Sequence, residues 1–372
     1  MSCKTPLLHS GVLVFALLGC ASNGQNASGG SGGEPTGGSA GGAATGGQGA
    51  ATGGTTGSSV ATGGAVMDDA SAAEPDAGAA ADAAPKLDRP PMTMPGGPGR
   101  ITLIAGGGNG GDGSPAAMAS TNKPFGAVVD PLNGDVYIAE YGGHKVRRID
   151  DKGIITTVMG AGATGPGGKI TLGQPHNLLF QPNSHNLFVA DTFAGRVIRM
   201  DATTGESEVF AAGLGTAYCL AFDPSGEHLY VNNGSIIDVK TKMTTKVGIG
   251  SPRVIAVDSK KNLYFGGGAS LSVADPMGKI SAAMGSGGLS GPKHLFADLN
   301  DDVIVADTES NTIRKYVVAT RSVVKIAGGG AGALGGDPNQ AKLARPHGVF
   351  VDGQGRLWIA DSFNDRVLRV DY

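Results

Sequence analysis

The sequence predicts an all-β fold: a six-bladed β-propeller over residues 100–372, preceded by a segment that builds no core. One observation behind this is a strand-rich phrase that recurs six times with a mean period of about 44 residues, the spacing of four-stranded blades. The other is a segment ahead of the first copy that matches a segment inside the array. Almost nothing in this span has the periodicity of a helix.

Each copy contains an apolar strand, a turn, an aromatic or β-branched strand that ends near Ala-Asp, and an arginine-rich third strand. Four copies are clear and begin at Lys123, Gln174, Gly291 and Arg345. Two weaker copies, from Thr216 and Ser251, keep the first two strands and have a shortened second half. Turn dipeptides such as Asn133-Gly134 separate the first and second strands, as hairpin connections should.

The two ends of the array predict how the ring closes. The last copy stops after its third strand, at Tyr372. The segment RITLIAGGGNGGDGSPAAMASTNKPFG from Arg100 matches VVKIAGGGAGALGGDPNQAKLARPHG from Val323, which makes Ile101 to Ala105 a fourth strand with no blade of its own. We expect it to complete the sixth blade beside Val367 to Val370 and to cover an otherwise exposed edge.

The recurring phrase resembles the NHL-repeat family over essentially all of residues 100–372. Two of the copies that carry the resemblance read KPFGAVVDPLNGDVYIAEYGGHKVRRID from Lys123 and RPHGVFVDGQGRLWIADSFNDRVLRVD from Arg345. The resemblance implies an NHL-like six-bladed propeller. The family includes binding modules, sensor domains and enzymes, so the fold does not decide the function.

Residues 1–19 have the pattern of a signal peptide: Lys4, then an apolar run from Gly11 to Leu18, then Gly19 before Cys20. This pattern resembles the bacterial lipoprotein signal, whose lipobox ends at the cysteine that becomes lipidated. The resemblance implies a lipid-anchored envelope protein that begins at lipidated Cys20, and Ala21 in the next position favours the outer membrane. An ordinary secretory signal that is cleaved elsewhere is the alternative.

Residues 20–99 are expected to form a disordered, low-complexity linker. The 79 residues that follow Cys20 contain no aromatic side chain and repeat Thr-Gly-Gly four times, so they cannot bury enough apolar area to offset chain entropy. Treated as a flexible Gly-rich coil, they span about 50 Å. Removal of the signal peptide leaves Cys219 as the only thiol of the propeller, so no disulfide can form within it.

Charge and composition exclude several classes of protein. The chain has 29 basic and 32 acidic side chains, and residues 100–372 are almost neutral, so no broad basic field is available for nucleic acid. Three cysteines cannot make a disulfide framework. No apolar run approaches the roughly 20 residues of a membrane-spanning helix.

The Ala-Asp strand ends resemble catalytic pairs at first sight, because an arginine follows each aspartate a few residues later. The pairs recur in register in most blades, which favours a structural role in the turn after the second strand. Their members are Asp191 with Arg196, Asp307 with Arg314, and Asp361 with Arg366.

A more informative position is the one at the start of each innermost strand, in most copies directly after the opening proline. Alignment of the six copies places these residues there: Phe125, His176, Tyr218, Arg253, Lys293 and His347. If the blades are pseudo-symmetric, the six side chains converge on one mouth of the central channel.

The preferred hypothesis is a recognition module without catalytic activity that binds its ligand as a single propeller. Arg253 and Lys293 beside Tyr218 and the histidines suit an anionic or polar ligand, such as a carboxylate-bearing glycan, a peptide end or another protein segment.

The alternative is a metal-dependent lyase or hydrolase. His176, His347 and nearby His294 would bind zinc, because neutral imidazoles suit that ion. This pattern is similar to the peptidyl-α-hydroxyglycine amidating lyases, whose zinc histidines also follow a proline in three alternate blades, but here Arg253 occupies the fourth blade and His294 lies one place late. A lactonase-like calcium enzyme would need Glu, Asn and Asp to converge, and only Asn177 and Asn233 are candidates. Neither version assigns catalytic residues.

Overall fold

The fold is seen in a computed structural model that describes residues 99–285 and 287–372. The predicted signal peptide, the lipidation site at Cys20 and the linker, except for its last residue, lie outside the described residues. Within them, six antiparallel sheets of four strands form the blades of a propeller, which confirms the predicted fold class.

In blades 1 to 5 the strands follow chain order from the central channel outward. Blade 1 contains β2 (Pro124–Val129), β3 (Val136–Glu140), β4 (Lys145–Ile149) and β5 (Ile155–Gly160). Blade 2 contains β6 (Pro175–Phe180), β7 (Asn186–Asp191), β8 (Arg196–Asp201) and β9 (Ser207–Ala211). Blade 3 contains β10 (Leu220–Phe222), β11 (His228–Val231), β12 (Ser235–Asp238) and β13 (Thr244–Lys246).

Blade 4 contains β14 (Val254–Val257), β15 (Leu263–Gly267), β16 (Ser270–Ala274) and β17 (Ile280–Met284). Blade 5 contains β18 (Pro292–Ala297), β19 (Val303–Asp307), β20 (Thr312–Val317) and β21 (Ser322–Gly328). Blade 6 contains β22 (Gly348–Val351), β23 (Leu357–Asp361), β24 (Arg366–Asp371) and, outermost, β1 (Arg100–Ala105). The two weaker sequence copies therefore build complete four-stranded blades.

The N-terminal strand closes the ring in the predicted way. β1 pairs antiparallel with β24, with Ile101 opposite Val370 and Ala105 next to Val367. Ile101 is fully buried. Its backbone also bonds the loop before blade 6, because Gly335 donates to the Ile101 carbonyl and the Ile101 N–H donates to Gly336. The edge of the last blade is thereby covered.

The core consists of side chains packed between neighbouring blades. Between blades 2 and 3, Phe188 packs edge-to-face against Phe222 with ring centres 5.1 Å apart, and Leu229 joins the same cluster. The described helices are single 3-10 turns at Ala116–Met118, Pro166–Lys169, Thr308–Ser310, Pro338–Gln340 and Ser362–Asn364. In this part of the chain no helix has the length and apolar character needed to cross a membrane.

The aspartates that end the second strands are structural, as the sequence predicts. In blade 2, Asp191 accepts hydrogen bonds from the backbone of Gly173 and Gln174, while Arg196 Nε lies 2.9 Å from its other oxygen. Asp307 and Asp361 make the same kind of contact with the loop before their own blade and with Arg314 and Arg366. Each carboxylate therefore fixes the loop that leads into an innermost strand.

Candidate functional site

The predicted ring positions lie where the innermost strands begin, and in three blades this point is a β-bulge. The strand pairing passes from Pro124 to Gly126, from Pro175 to Asn177 and from Pro292 to His294. The skipped residues are Phe125, His176 and Lys293. Because a bulge re-aims a side chain, it separates these residues from the ones that follow them along the strand.

Five of the six predicted residues line one cavity of about 780 Å³ at this mouth of the channel: Phe125, His176, Tyr218, Arg253 and His347. Sequence reasoning missed three aromatic members of the wall, Tyr141, Phe193 and Phe363. They follow Glu140, Asp191 and Asp361 by one or two places, so alignment of the turns after the second strands could have identified them.

Stacked rings form one side of the mouth. The Phe125 ring lies between Tyr141 and His347, with centroids 4.2 and 4.0 Å away and nearly parallel planes. Phe363 continues the stack at 5.8 Å from His347, and His176 meets Phe125 edge-on at 4.9 Å. Aromatic pairs of this kind contribute about 0.5–1.5 kcal/mol each beyond their buried area, so the stacking stabilises this side of the mouth.

Lys293 lies beside the mouth, where it shares one carboxylate with Arg345. Its Nζ is 3.4 Å from Glu309 Oε1, and Arg345 makes a two-point contact with the same carboxylate, at 2.7 and 2.8 Å. The predicted pair of free cations is thus reduced to Arg253.

Arg253 is an uncompensated positive charge. Its guanidinium carbon lies 4.6 Å from the centroid of the Tyr218 ring, in cation–π geometry. No carboxylate among the described residues forms a salt bridge with it, and its buried Nε has no hydrogen-bond partner there. Because Nε is enclosed, the donors of this half-buried arginine that are available for a ligand are those of its two terminal nitrogens.

The histidines of the mouth are neutral at pH 7. Burial lowers the pKa of His347 to about 4. Burial, followed by the charges of His347 and Arg253, holds the pKa of His176 well below its ordinary value. The mouth therefore combines neutral rings with the positive charges of half-buried Arg253 and, at its exposed edge, Lys123.

The three-histidine metal set is not brought together. His294 lies one layer deeper, where Asn177 Nδ2 is 2.8 Å from its Nε2 and the Val349 N–H donates to its Nδ1 at 3.3 Å. The rings of His176 and His347 have centroids 6.0 Å apart. Across residues 99–285 and 287–372, no three His, Cys, Asp or Glu side chains are grouped so that they could hold a metal ion.

The residues considered for other chemistry are also engaged. Asn177 Oδ1 accepts from the Leu220 N–H, and Asn233 Oδ1 accepts from the Ser235 N–H in its own turn, so neither offers a free oxygen toward the mouth as a calcium ligand. Cys219 is fully buried, and burial raises the pKa of its thiol to about 12. A thiol in that state is not a nucleophile at neutral pH.

Comparison with known proteins gives relatives of low identity. No protein-family model matches the chain. The Arabidopsis thaliana protein SUPPRESSOR OF QUENCHING 1, chloroplastic, is 24% identical over 270 residues, which cover 68% of this chain and 25% of that protein. Human teneurin-1 is 28% identical over 191 residues, 50% of this chain and 6% of that protein. The chain thus spans a quarter or less of the length of these curated relatives.

Solved structures share the fold. A Bacteroides thetaiotaomicron protein of unknown function superposes with a TM-score of 0.61 at 19% identity, over 73% of this chain and 75% of that one. An auxiliary nutrient binding protein from Bacteroides ovatus superposes with a TM-score of 0.58 at 17% identity, over 74% and 76% of the two chains. These likenesses show that the chain has the propeller fold of those proteins.

Proposed function

We propose that the propeller is a recognition module that binds an anionic ligand at the channel mouth through Arg253. The observation that carries this proposal is the half-buried guanidinium without a counter-ion in a cavity of about 780 Å³, a volume within the range of small-ligand sites. The NHL-repeat family, which the recurring phrase resembles, includes binding modules, and the similar Bacteroides ovatus protein is described as nutrient binding.

The ligand is a carboxylate-bearing glycan or peptide end. Guanidinium and carboxylate groups form paired, charge-assisted hydrogen bonds, which fixes the orientation of the ligand. The ring of Phe193, which is 80% exposed, stands on the rim and offers an apolar face to a sugar ring or a peptide side chain. The arginine and the aromatic ring together suit a ligand that has both a carboxylate and an apolar face.

The test is calorimetric titration of the chain with oligogalacturonates and with short peptides that have a free C-terminus. Methyl-esterified oligogalacturonates and amidated peptides are the matched neutral ligands. We expect binding of at least one acidic ligand and a 10- to 100-fold loss in Arg253→Gln, because hydrogen bonds to a charged group contribute about 1.5–3 kcal/mol.

The matched control is Arg199→Gln, which removes an arginine that pairs with Glu208 on blade 2, away from the mouth. This variant should bind like the unchanged chain. Equal binding of acidic and neutral ligands, or an equal loss in both variants, would refute the role of Arg253.

We also propose that the chain is held at the bacterial envelope, in the outer membrane, by lipid on Cys20. The lipobox-like sequence that ends at Cys20 supports this. Each buried methylene of an acyl chain contributes about 0.8 kcal/mol, so two or three chains make release negligible. Cys20→Ser should move the chain from the membrane pellet to the soluble fraction and abolish labelling by radioactive palmitate, whereas Cys3→Ser should change neither. Retention of Cys20→Ser in the pellet would exclude this anchor.

A further inference from the structure

A second cavity, of about 430 Å³, lies at the opposite end of the channel. The innermost strands of all six blades line it, together with the turns that follow them at Pro131, Pro182 and Pro224. Asn177 and His294 belong to blades 2 and 5, which stand opposite each other in a six-membered ring. Their contact crosses the channel and separates this lower cavity from the mouth.

Most of the surface that lines the lower cavity is apolar. Four blades each contribute a phenylalanine: Phe180, Phe222, Phe296 and Phe350. Phe296 and Phe350 meet edge-to-face with centroids 4.9 Å apart. Leu179 and Phe296 are only half-buried although they lie on innermost strands, so the cavity exposes their side chains.

The carboxylates around the cavity are already satisfied. Asp258 accepts from the backbone of Lys260 and Asn262 in its own turn. Asp298 lies 2.8 Å from Lys315 Nζ, and Asp223 lies 3.2 Å from Lys261 Nζ. Asp301 lies 2.9 Å from Lys260 Nζ. The carboxylates are therefore engaged within the protein, and Asp258 is the one of the four without a salt bridge, whereas the mouth contains an unpaired guanidinium.

We propose that the lower cavity is a second binding site, independent of the mouth, for a small neutral apolar molecule of two or three fused rings. Its volume equals the liquid volume of about 14 water molecules, and an apolar wall offers such waters few hydrogen bonds. A ring compound displaces these waters and packs against the phenylalanine edges.

The test is fluorescence titration of the full chain with N-phenyl-1-naphthylamine, a neutral ring compound whose emission rises in apolar surroundings. We expect saturable binding of one molecule per chain. Leu179→Trp should weaken it at least tenfold by filling the cavity. Leu132→Trp makes the same substitution at an exposed position of the blade 1 turn, outside the lining, and should leave binding unchanged.

Ala221→Leu is a milder filling variant and should weaken binding in the same direction if Leu179→Trp fails to fold. Arg253→Gln should leave probe binding intact, which separates this site from the proposed function of the mouth. The proposal is overturned by non-saturable binding, by equal effects of Leu179→Trp and Leu132→Trp, or by a loss in Arg253→Gln. It is also overturned if the unchanged chain binds no probe and light scattering finds a dimer. That result would indicate that a second copy of the chain covers this face.

Discussion

Arg147 and Arg253 are both withdrawn from solvent, but different groups face them. Arg147 is 2% exposed, and its guanidinium contacts Glu140 at 3.3 Å, Asp112 at 2.7 Å and the Ser120 carbonyl. Removal of one partner from such a network leaves a buried charge, which makes the network structural. Arg253 has no carboxylate partner among the described residues, so its charge is available to a ligand.

The channel histidines make stability depend on pH at the residue scale. Burial lowers the pKa of His294 and of His347 from 6.5 to about 4. Between pH 4 and pH 6.5 the unfolded chain binds protons that the folded chain does not. The free energy of unfolding therefore has its full value above pH 6.5 and falls as the pH is lowered toward 4. For each of the two histidines, the free energy of unfolding should be lower at pH 5 than at pH 7 by on the order of 2 kcal/mol, as measured by urea unfolding at both pH values.

His294→Gln keeps a polar side chain opposite Asn177 and should remove one ring's share of this loss. An unaltered pH dependence in His294→Gln would show that the buried ring does not titrate as its surroundings require.

At the scale of elements, the strands were predictable because their alternation and turn residues are local. The bulges at Phe125, His176 and Lys293 were not, because a bulge appears only when two strands are paired. For the same reason, the sequence showed that His294 lies one position after the predicted ring residue of its blade, but it could not identify the residue that His294 contacts. Asn177 is 117 residues away, in the opposite blade.

A Thr or Ser hydroxyl follows the aspartate that ends the second strand in several copies of the repeat. The sequence shows this residue but does not show what it bonds. Thr192 and Thr308 each donate to a carbonyl at the entry of the next blade, Ala217 and Pro346, at 2.6 Å. Ser362 makes the same bond to Pro124 and so joins the last blade to the first. The Thr or Ser hydroxyl therefore forms a hydrogen bond that links two neighbouring blades.

Ser362→Ala should lower the free energy of unfolding by about 1–2 kcal/mol, because it leaves the Pro124 carbonyl without its buried donor. Denaturant unfolding of the purified variant gives the value. Ser225→Ala is the matched control: its hydroxyl is in an exposed turn and bonds only Asp223 and Glu227 nearby, so its loss should be small. Equal losses of unfolding free energy in the two variants would argue against a stabilising hydrogen bond between the blades.

At the scale of the whole molecule, the ring closes where blade 6 meets blade 1. The innermost strands approach so closely there that a Cβ at Gly348 would lie 2.3 Å from the Phe125 carbonyl oxygen. Only glycine allows this contact without a backbone shift. The candidate mouth depends on it, because Phe125 and His347 stack across the same junction.

Closure also depends on β1, which joins residues from the two ends of the described chain in one blade. The fully buried Ile101 packs in the core of blade 6, in a cluster with Leu357 and Val370.

Ile101→Ala should reduce the free energy of unfolding by about 3 kcal/mol, since truncation of a buried isoleucine costs about 2–5 kcal/mol. Because the strand secures a ring in which each blade packs on the next, this loss should appear in one cooperative transition, followed by urea unfolding with tyrosine and tryptophan emission. Thr102→Ala changes a half-buried neighbour in the same strand and should cost far less. A separate early transition confined to blade 6, or a loss no larger than that of Thr102→Ala, would show that the ring is stable without this closure.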